Sequence, residues 1–264
     1  MNINNTQFEN RVVLVTGAGS GIGRATAIEL ATRGAKVGVC SRSEANIAAT
    51  IDEIERAGGT ALSLIADVNC EEDINNAFAK LDATWGRLDG VVVNAGVNGV
   101  WAPIAELTLD EWNTTISTNL TSTFLTTKAA LPLLKRQGGS IAITASVNGT
   151  RIFSNTGASA YSTSKAGQVA FAKMAALELA RDKIRVNVVC PGWISTNIGD
   201  ATYARNLASV KIPVNYPEGS SPLAGGPGSA ESVAKLFAFL LSDDSSHISG
   251  TEMWIDGTES LLIG

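Results

Sequence analysis

The fold is decided by one stretch, Arg11-Val-Val-Leu-Val-Thr16-Gly17-Ala-Gly-Ser-Gly-Ile-Gly23. An apolar, strand-sized run ends in a turn with four glycines, and a segment of helical period follows at about 22–33. Glycines let the backbone turn sharply and approach a pyrophosphate, while the free N–H groups and dipole of the following helix favour negative charge. The spacing is G-x-x-x-G-x-G rather than GxGxxG, so the prediction of a dinucleotide site depends on the position of the turn.

From this turn to the end of the chain, strand-like and helix-like segments alternate. The apolar runs predict strands at about 11–16, 36–41, 60–66, 88–93, 140–145, 184–190 and 251–255. The helical periods lie at about 22–33, 44–57, 71–84, 109–136, 160–181 and 229–241. This alternation predicts one α/β domain over residues 1–264, with a doubly wound, Rossmann-type parallel sheet. The stretch 193–228 breaks the rhythm with four prolines, and we expect it to be a substrate lid.

Composition excludes several classes of protein. The chain has 20 basic and 25 acidic residues and no basic stripe, so we expect no nucleic-acid partner. Its apolar runs fall far short of the roughly 20 residues of a membrane span, and its polar first residues carry no targeting pattern, so we expect a cytoplasmic protein without membrane contact. Cys40, Cys70 and Cys190 lack CxxC spacing and are expected to be reduced thiols. With His247 as the only histidine, we expect neither a metal site nor a Ser-His-Asp triad.

The end of the second predicted strand indicates which dinucleotide is bound. NAD-binding proteins place an acid about twenty residues after the glycine turn, but here the strand ends in Ser41-Arg42-Ser43. Arg42 offers a planar, charged donor set for a 2′-phosphate, and no carboxylate at the strand tip repels one. The sequence therefore favours NADP(H), although Arg42 could be a solvated loop charge. Asp67, which ends the third strand, could accept a bond from the adenine amino group or cap the next helix.

A second group of residues carries the chemistry. Tyr161 and Lys165 lie four positions apart in the predicted helix 160–181, so their side chains share one face. The lysine charge favours the phenolate, and we expect it to lower the Tyr161 pKa from about 10 toward neutrality, as an acid/base catalyst requires. Ser146 lies just past the predicted strand 140–145, at the edge where open α/β sheets bind ligands. The Y-x-x-x-K spacing alone could be an exposed helix face, and Ser146 favours the catalytic interpretation.

These motifs, in this order, resemble those of the short-chain dehydrogenase/reductase family over nearly the whole chain. The TGxxxGxG loop matches 16–23, and the NNAG turn appears as Val93-Asn94-Ala95-Gly96. The helix asparagine matches Asn119, and the PG motif matches Cys190-Pro191-Gly192. The departures are Val93 in place of the first asparagine, Ser20 where some NADP enzymes carry a basic residue, a longer gap between Ser146 and Tyr161, and Asp256-Gly257-Thr258 in place of DGG.

The resemblance implies a seven-stranded parallel sheet and hydride exchange between a nicotinamide cofactor and a ketone or secondary alcohol. Tyr161 would protonate the carbonyl oxygen, or deprotonate the alcohol, and Ser146 would hold that oxygen. Lys165 would bind the nicotinamide ribose and tune Tyr161, while Asn119 would fix a water that links Lys165 to solvent. It also implies a homotetramer, with the helices at 109–136 and 160–181 at one interface.

The residues expected to bind the cofactor follow from the same motifs. They are Gly17, Ser20, Gly21, Ile22, Gly23, Arg42, Asp67, Val68, Asn94, Ala95, Gly96, Tyr161, Lys165, Pro191, Gly192, Ile194 and Thr196. The expected walls of the substrate pocket are Asn98, Trp101, Val147, Asn148, Ile152, Phe153, Trp193 and Tyr203. Because these walls are mostly apolar and aromatic, they favour a moderately lipophilic substrate. Arg151 and Arg205 could anchor it or be solvated charges.

The leading hypothesis is an NADP(H)-dependent carbonyl reductase acting on a ketone or secondary alcohol. The alternatives are a non-catalytic NADP(H)-binding sensor, an NAD-dependent alcohol dehydrogenase, and a lyase or epimerase on the same fold. A pure binder has no use for a tuned phenol, and a lyase or epimerase usually needs a further acid or base in the pocket. The sequence therefore favours the reductase.

Overall fold

The computed structural model describes residues 7–196, 198–199, 202–212, 223 and 225–263. The strands are β1 (Val12–Thr16), β2 (Lys36–Ser41), β3 (Thr60–Ile65), β4 (Gly90–Val93), β5 (Gly99–Trp101), β6 (Gly139–Thr144), β7 (Ile184–Pro191), β8 (Thr202–Ala204) and β9 (Glu252–Ile255). The helices are α1 (Gly21–Thr32), α2 (Glu44–Arg56), α3 (Glu71–Trp85), α4 (Leu109–Ile116), α5 (Ser122–Leu134), α6 (Ser159–Leu179), α7 (Ala230–Leu241) and α8 (Glu259–Ile263).

Seven parallel strands form the main sheet, in the order β3-β2-β1-β4-β6-β7-β9. The order reverses between β1 and β4, so a crevice opens there at the carboxyl ends of the strands, where doubly wound sheets bind their ligands. The predicted fold, a single domain with a doubly wound seven-stranded sheet, is confirmed. A second, two-stranded parallel sheet pairs β5 with β8 and was not predicted.

Both faces of the sheet are buried under helices. Helices α1, α2 and α7 cover one face and α3, α5 and α6 the other. Along β1, Val13 and Val15 point to the first layer while Val12 and Leu14 point to the second. This double burial explains why the strands are continuous apolar runs rather than alternating ones.

The predicted helix 109–136 is wrong in one respect, because it is interrupted. Between α4 and α5 the backbone forms a π-helical turn, Ser117–Thr121, in which Ser122 N–H donates to the Ser117 carbonyl five residues back. A π-helical turn inserts one extra residue into an α-helix and frequently occurs at functional sites. Asn119 lies in this turn.

The predicted lid is described in part. Strand β8 pairs with β5, and the Arg205 guanidinium donates to both carboxylate oxygens of Glu111, at 2.8 and 3.0 Å. Three of the prolines that suggested a lid, Pro213, Pro217 and Pro222, lie outside the described residues. Within the described part of the chain, none of the helices has the length and apolar character that crossing a membrane requires.

Candidate active site

The glycine turn between β1 and α1 is built for close backbone approach. Gly17 and Gly21 have φ angles of +64° and +50°, in the left-handed region that favours glycine. A Cβ at Gly17 would lie 2.9 Å from the Ala95 Cα, and one at Gly23 would lie 2.2 Å from the Gly17 carbonyl oxygen. The Ser20 side chain does not cap α1, so the first N–H groups of the helix are not occupied by it. The turn therefore fits the diphosphate of a dinucleotide.

The turn after β4 closes against the glycine turn. Thr16 Oγ1 accepts hydrogen bonds from the backbone N–H groups of Asn94, at 3.0 Å, and Ala95, at 3.2 Å. The Asn94 side chain donates to the Thr16 carbonyl at 3.3 Å and accepts from Thr144 Oγ1 at 3.1 Å. The ends of β1, β4 and β6 are thereby joined at the switch point.

A cleft of about 930 Å³ runs across this edge of the sheet. It brings together most of the predicted site residues, namely Gly17, Ser20, Gly21, Ile22, Arg42, Val68, Asn94, Ala95, Gly96, Ser146, Tyr161, Lys165, Pro191, Gly192, Ile194 and Thr196. Three predicted residues, Gly23, Asp67 and Asn119, do not line the cleft. The glycine turn and the Tyr161 helix therefore face one continuous cleft, whose volume can hold a dinucleotide with a small substrate beside it.

Ser146, Tyr161 and Lys165 meet at one end of the cleft. Their side chains are 7%, 8% and 3% exposed, respectively. The Lys165 ammonium donates to the Thr144 carbonyl at 2.8 Å and lies 5.6 Å from the centre of the Tyr161 ring. The Ser146 hydroxyl oxygen accepts the Asn148 N–H at 3.1 Å, and the hydroxyl interacts with the Tyr161 phenol.

Known proteins are similar to this chain over most of its length. A family model described as enoyl-(acyl carrier protein) reductase matches residues 17–258. Levodione reductase of Leifsonia aquatica is 36% identical, covering 97% of this chain and 96% of that protein. The chain belongs to the short-chain dehydrogenase/reductase family. A 3-oxoacyl-(acyl-carrier-protein) reductase of Thermotoga maritima is 35% identical over 95% of this chain and 98% of its own.

Solved structures agree with this assignment. The crystal structure of a 3-ketoacyl-ACP reductase from Sinorhizobium meliloti superposes with a TM-score of 0.92 at 50% identity, covering 95% of this chain and 99% of that one. As a short-chain dehydrogenase/reductase, the protein is an oxidoreductase that uses a nicotinamide cofactor. The glycine turn and cleft described above fit such a cofactor.

The pKa of Tyr161 departs from our expectation. Burial raises the pKa of Tyr161 above its usual value of 10. The hydrogen bond from the Ser146 hydroxyl lowers this pKa but only partly offsets the effect of burial. Burial also lowers the pKa of Lys165 from 10.5 to about 8. The prediction that Lys165 brings the Tyr161 pKa toward neutrality is therefore wrong. The Lys165 ammonium donates to the Thr144 carbonyl, and the loss of hydration on burial is the largest cause of the raised Tyr161 pKa.

Asn119 is fully buried and bonded within the protein. Its side chain accepts from Val97 N–H at 2.8 Å and donates to the Val97 carbonyl and to Ser164 Oγ, both at 2.9 Å. Ser164 Oγ in turn donates to the Tyr161 carbonyl at 2.6 Å. Asn119 therefore ties the loop after β4 to the helix that carries Tyr161. Ser164 was not predicted, although its position three residues after Tyr161 places it on the same face.

Gly23 and Asp67, which do not line the cleft, contact other parts of the protein. Gly23 packs directly beneath Gly17, as the close distance given above requires. Asp67 accepts hydrogen bonds from the Asn69 backbone at 2.9 Å and from the Asn69 side chain at 3.0 Å. Its other carboxylate oxygen lies 4.0 Å from the Arg42 guanidinium. The alternative that Asp67 caps the next helix is wrong, because Cys70 is the N-cap of α3.

The predicted pocket wall is largely present. Trp101 faces Tyr161, with ring centres 6.5 Å apart, and the cleft is further lined by Asn98, Val147, Asn148, Ile152 and Trp193. Phe153 and Tyr203 do not line it and are 70% and 69% exposed. Asn155, Ile198 and Glu259 line the cleft but were not predicted, because no motif marks them.

The two arginines proposed as anchors are engaged elsewhere. Arg151 stacks on the Trp254 ring at 3.7 Å, and Arg205 pairs with Glu111. Neither arginine lines the cleft. Neither is therefore placed to anchor a substrate in this structure.

Proposed function

We propose that this protein is an NADP(H)-dependent carbonyl reductase that acts on a neutral, moderately lipophilic ketone or secondary alcohol. The observation that carries the proposal is that Ser146 and Tyr161 share one cleft with the glycine turn and with Arg42. Relatives named levodione reductase and 3-oxoacyl-(acyl-carrier-protein) reductase support a ketone as the substrate. The apolar and aromatic wall around Trp101 and Ile152 supports a lipophilic one.

The reacting residues have separate tasks in this proposal. A bound nicotinamide dinucleotide supplies hydride to a carbonyl carbon, or accepts it in the reverse direction. The Ser146 hydroxyl donates to the carbonyl oxygen, and Tyr161 gives that oxygen its phenolic proton, so that ketone, hydride and proton make the alcohol. Lys165 uses one of its three N–H donors on Thr144 and keeps two for the nicotinamide ribose.

Arg42 supports NADP(H) over NAD(H). It lines the cleft at the end of β2, it is 67% exposed, and its neighbour Ser41 stands where a carboxylate would repel a 2′-phosphate. An NAD-dependent alcohol dehydrogenase is the second candidate. It is favoured by Asp67, whose carboxylate lies 4.0 Å from Arg42 and offsets part of its charge.

A fluorescence titration with NADPH and NADH tests the cofactor. A charge-assisted hydrogen bond contributes about 1.5–3 kcal/mol, so Arg42→Ala should weaken NADPH binding by about 10- to 100-fold and leave NADH nearly unchanged. Arg56→Ala is the matched control, because Arg56 is exposed on α2 and bonds only to Asp52 of its own helix among the described residues. Equal affinities of the wild type for both dinucleotides would remove the role given to Arg42.

A panel of ketones and alcohols, followed at the nicotinamide absorbance, tests the reaction. Tyr161→Phe should lose about 10²- to 10⁴-fold in turnover, the usual contribution of a general acid, and retain NADPH binding. Tyr203→Phe is the control, because Tyr203 is exposed on β8 and away from the cleft. Full turnover by Tyr161→Phe would contradict the assignment. A wild type that binds NADPH and reduces nothing would favour the sensor.

We also propose the homotetramer that the family resemblance implies. Phe124 on α5 and Met174 and Leu177 on α6 are 47%, 57% and 74% exposed. Large apolar side chains on neighbouring helices favour a subunit interface. Light scattering of the wild type and of Leu177→Glu tests this, and a wild-type monomer would contradict it.

A further inference from the structure

The face of α6 that carries Tyr161 and Lys165 extends one turn further. Tyr161, Ser164, Lys165 and Gln168 lie at positions i, i+3, i+4 and i+7 of the helix and form one stripe. All four side chains are buried, and Gln168 is only 1% exposed. Tyr161 and Lys165 take part in the proposed reaction, and Ser164 bonds to Asn119, but the reaction gives Gln168 no place.

Gln168 makes specific contacts outside its own helix. Its Nε2 donates to the Asn119 carbonyl at 2.9 Å and to Thr123 Oγ1 at 2.8 Å. Its Oε1 is buried and has no hydrogen-bond partner among the described residues. A buried amide with one unpaired oxygen costs stability. Leucine or methionine would fill a similar volume without leaving a buried oxygen unpaired. The two hydrogen bonds that Gln168 donates therefore point to a role other than packing.

The bonds from Gln168 end on the π-helical turn. Asn119 lies within Ser117–Thr121, and its carbonyl oxygen accepts from two side chains, Gln168 Nε2 and Thr123 Oγ1, the latter at 2.7 Å. Side chains thus hold the backbone at the place where the helix departs from α-helical geometry. The turn is anchored to α6 by Gln168.

Asn119 is consequently held through both its side chain and its main chain. Its side chain binds Val97 and Ser164, and its main chain binds Gln168. A Cβ built on Gly96 would lie 3.1 Å from Asn119 Oδ1 and 3.5 Å from Lys165 Nζ, so both polar atoms face the same small residue. A shift of the π-helical turn would therefore change the spacing between Asn119 and Lys165.

We infer that Gln168 is a positioning residue for proton transfer. It fixes the Asn119 backbone at the π-helical turn, and through it the geometry of Asn119 relative to Lys165 and Tyr161. This inference rests on the proposed reductase function. Displacements of about 1 Å in a reacting site cost up to about 10²-fold in rate.

Gln168→Met tests the inference, because methionine keeps the length of the side chain and removes both donors. We expect kcat to fall about 10- to 100-fold, with the KM of the ketone and the Kd of NADPH within about twofold of wild type. The pH profile of kcat should shift, because the proton-transfer geometry changes and binding does not. Val169→Ala is the matched control. It opens a cavity in the core one residue along α6, so it should lower stability and leave kcat unchanged.

Hydrogen exchange gives a second readout that needs no turnover. In the cofactor-free protein, Gln168→Met should speed exchange in the peptide spanning 117–125 at least tenfold more than Val169→Ala. If Gln168→Met does not fold, Thr123→Val removes the other side-chain donor to the same carbonyl and should give the same two effects more weakly.

Either of two results overturns the inference. One is exchange in 117–125 that matches the control, and the other is a kcat within twofold of wild type. Failure of the proposed function looks different, since the wild type itself would then reduce no ketone. The exchange comparison would still decide whether Gln168 anchors the turn.

Discussion

Lys165→Met should make the protein more stable at neutral pH while abolishing turnover. The Lys165 side chain is 3% exposed, and its ammonium donates to one protein acceptor, the Thr144 carbonyl. Among the described residues, no carboxylate lies within 4.0 Å of it. Burial therefore lowers its pKa from 10.5 to about 8. A charge kept under these conditions opposes folding.

The magnitude follows from this shift. Each pKa unit corresponds to about 1.4 kcal/mol, so the charged lysine costs about 3 kcal/mol of unfolding free energy at pH 7. Methionine fills a similar volume without the charge, and after loss of the Thr144 bond we expect a net gain of about 2 kcal/mol. The unfolded chain holds the lysine proton more tightly, so wild-type stability rises with pH between about 8 and 10.5. The difference in unfolding free energy between Lys165→Met and the wild type should thus narrow by about 2 kcal/mol from pH 7 to pH 9.5.

Urea unfolding of the cofactor-free proteins, at one protein concentration and at both pH values, measures this gap. Lys173→Met is the control, because Lys173 lies on the same helix but is half-exposed and paired with Glu252. It should change stability little, and equally at both pH values. A Lys165→Met variant that is less stable than wild type at pH 7, or a gap that does not narrow, would refute the reasoning from burial.

Two further predictions concern the turn and the lid. Gly23→Ala should weaken NADPH binding at least tenfold and lower the unfolding free energy by about 1–3 kcal/mol, because the added Cβ would meet the Gly17 carbonyl. Fluorescence titration and urea unfolding measure these two effects. Gly226→Ala is the control, because a Cβ at Gly226 would face open space. Glu111→Gln should remove the ion pair of Arg205, which keeps its hydrogen bond to the Glu106 carbonyl, and should speed proteolysis within 202–212. Since Arg205 lowers the pKa of Glu111 from 4.5 to about 2, the protection of the wild type should be complete above about pH 4.5 and decline progressively between pH 4.5 and 2.

Much of the fold could be predicted because a doubly covered parallel sheet leaves a strong pattern. The buried strands, such as Val12–Thr16, are uninterrupted apolar runs, and the segments between them repeat with helical period. The pairing of β5 with β8 could not be predicted, since three-residue strands lie about a hundred positions apart and show no periodicity. The π-helical turn was missed because its extra residue leaves the apolar pattern of 109–136 almost unchanged.

The candidate site could be predicted from the spacing of its motif residues along the sequence. The prediction that was wrong for Tyr161 concerns its pKa value, which depends on burial and not on spacing. Most of the motif residues gather in one cleft because the carboxyl ends of parallel strands share one edge. The four-residue spacing of Tyr161 and Lys165 gives their common face but not the loss of hydration that governs both pKa values. Gln168 lies on the same face of the helix, seven residues after Tyr161, but no sequence motif marks it.

The two pKa shifts at this site set the protonation states of Tyr161 and Lys165 at neutral pH. With its pKa raised above 10, Tyr161 holds its proton at neutral pH, which is the form that a donor to a carbonyl oxygen needs. Lys165, with a pKa of about 8, is still mostly charged at pH 7, and its charge acts in a buried site where electrostatic interactions are stronger than in water. In the proposed reaction, burial thus keeps the proton on Tyr161 until a carbonyl oxygen can accept it, and the neighbouring ammonium of Lys165 stabilises the phenolate as that proton leaves.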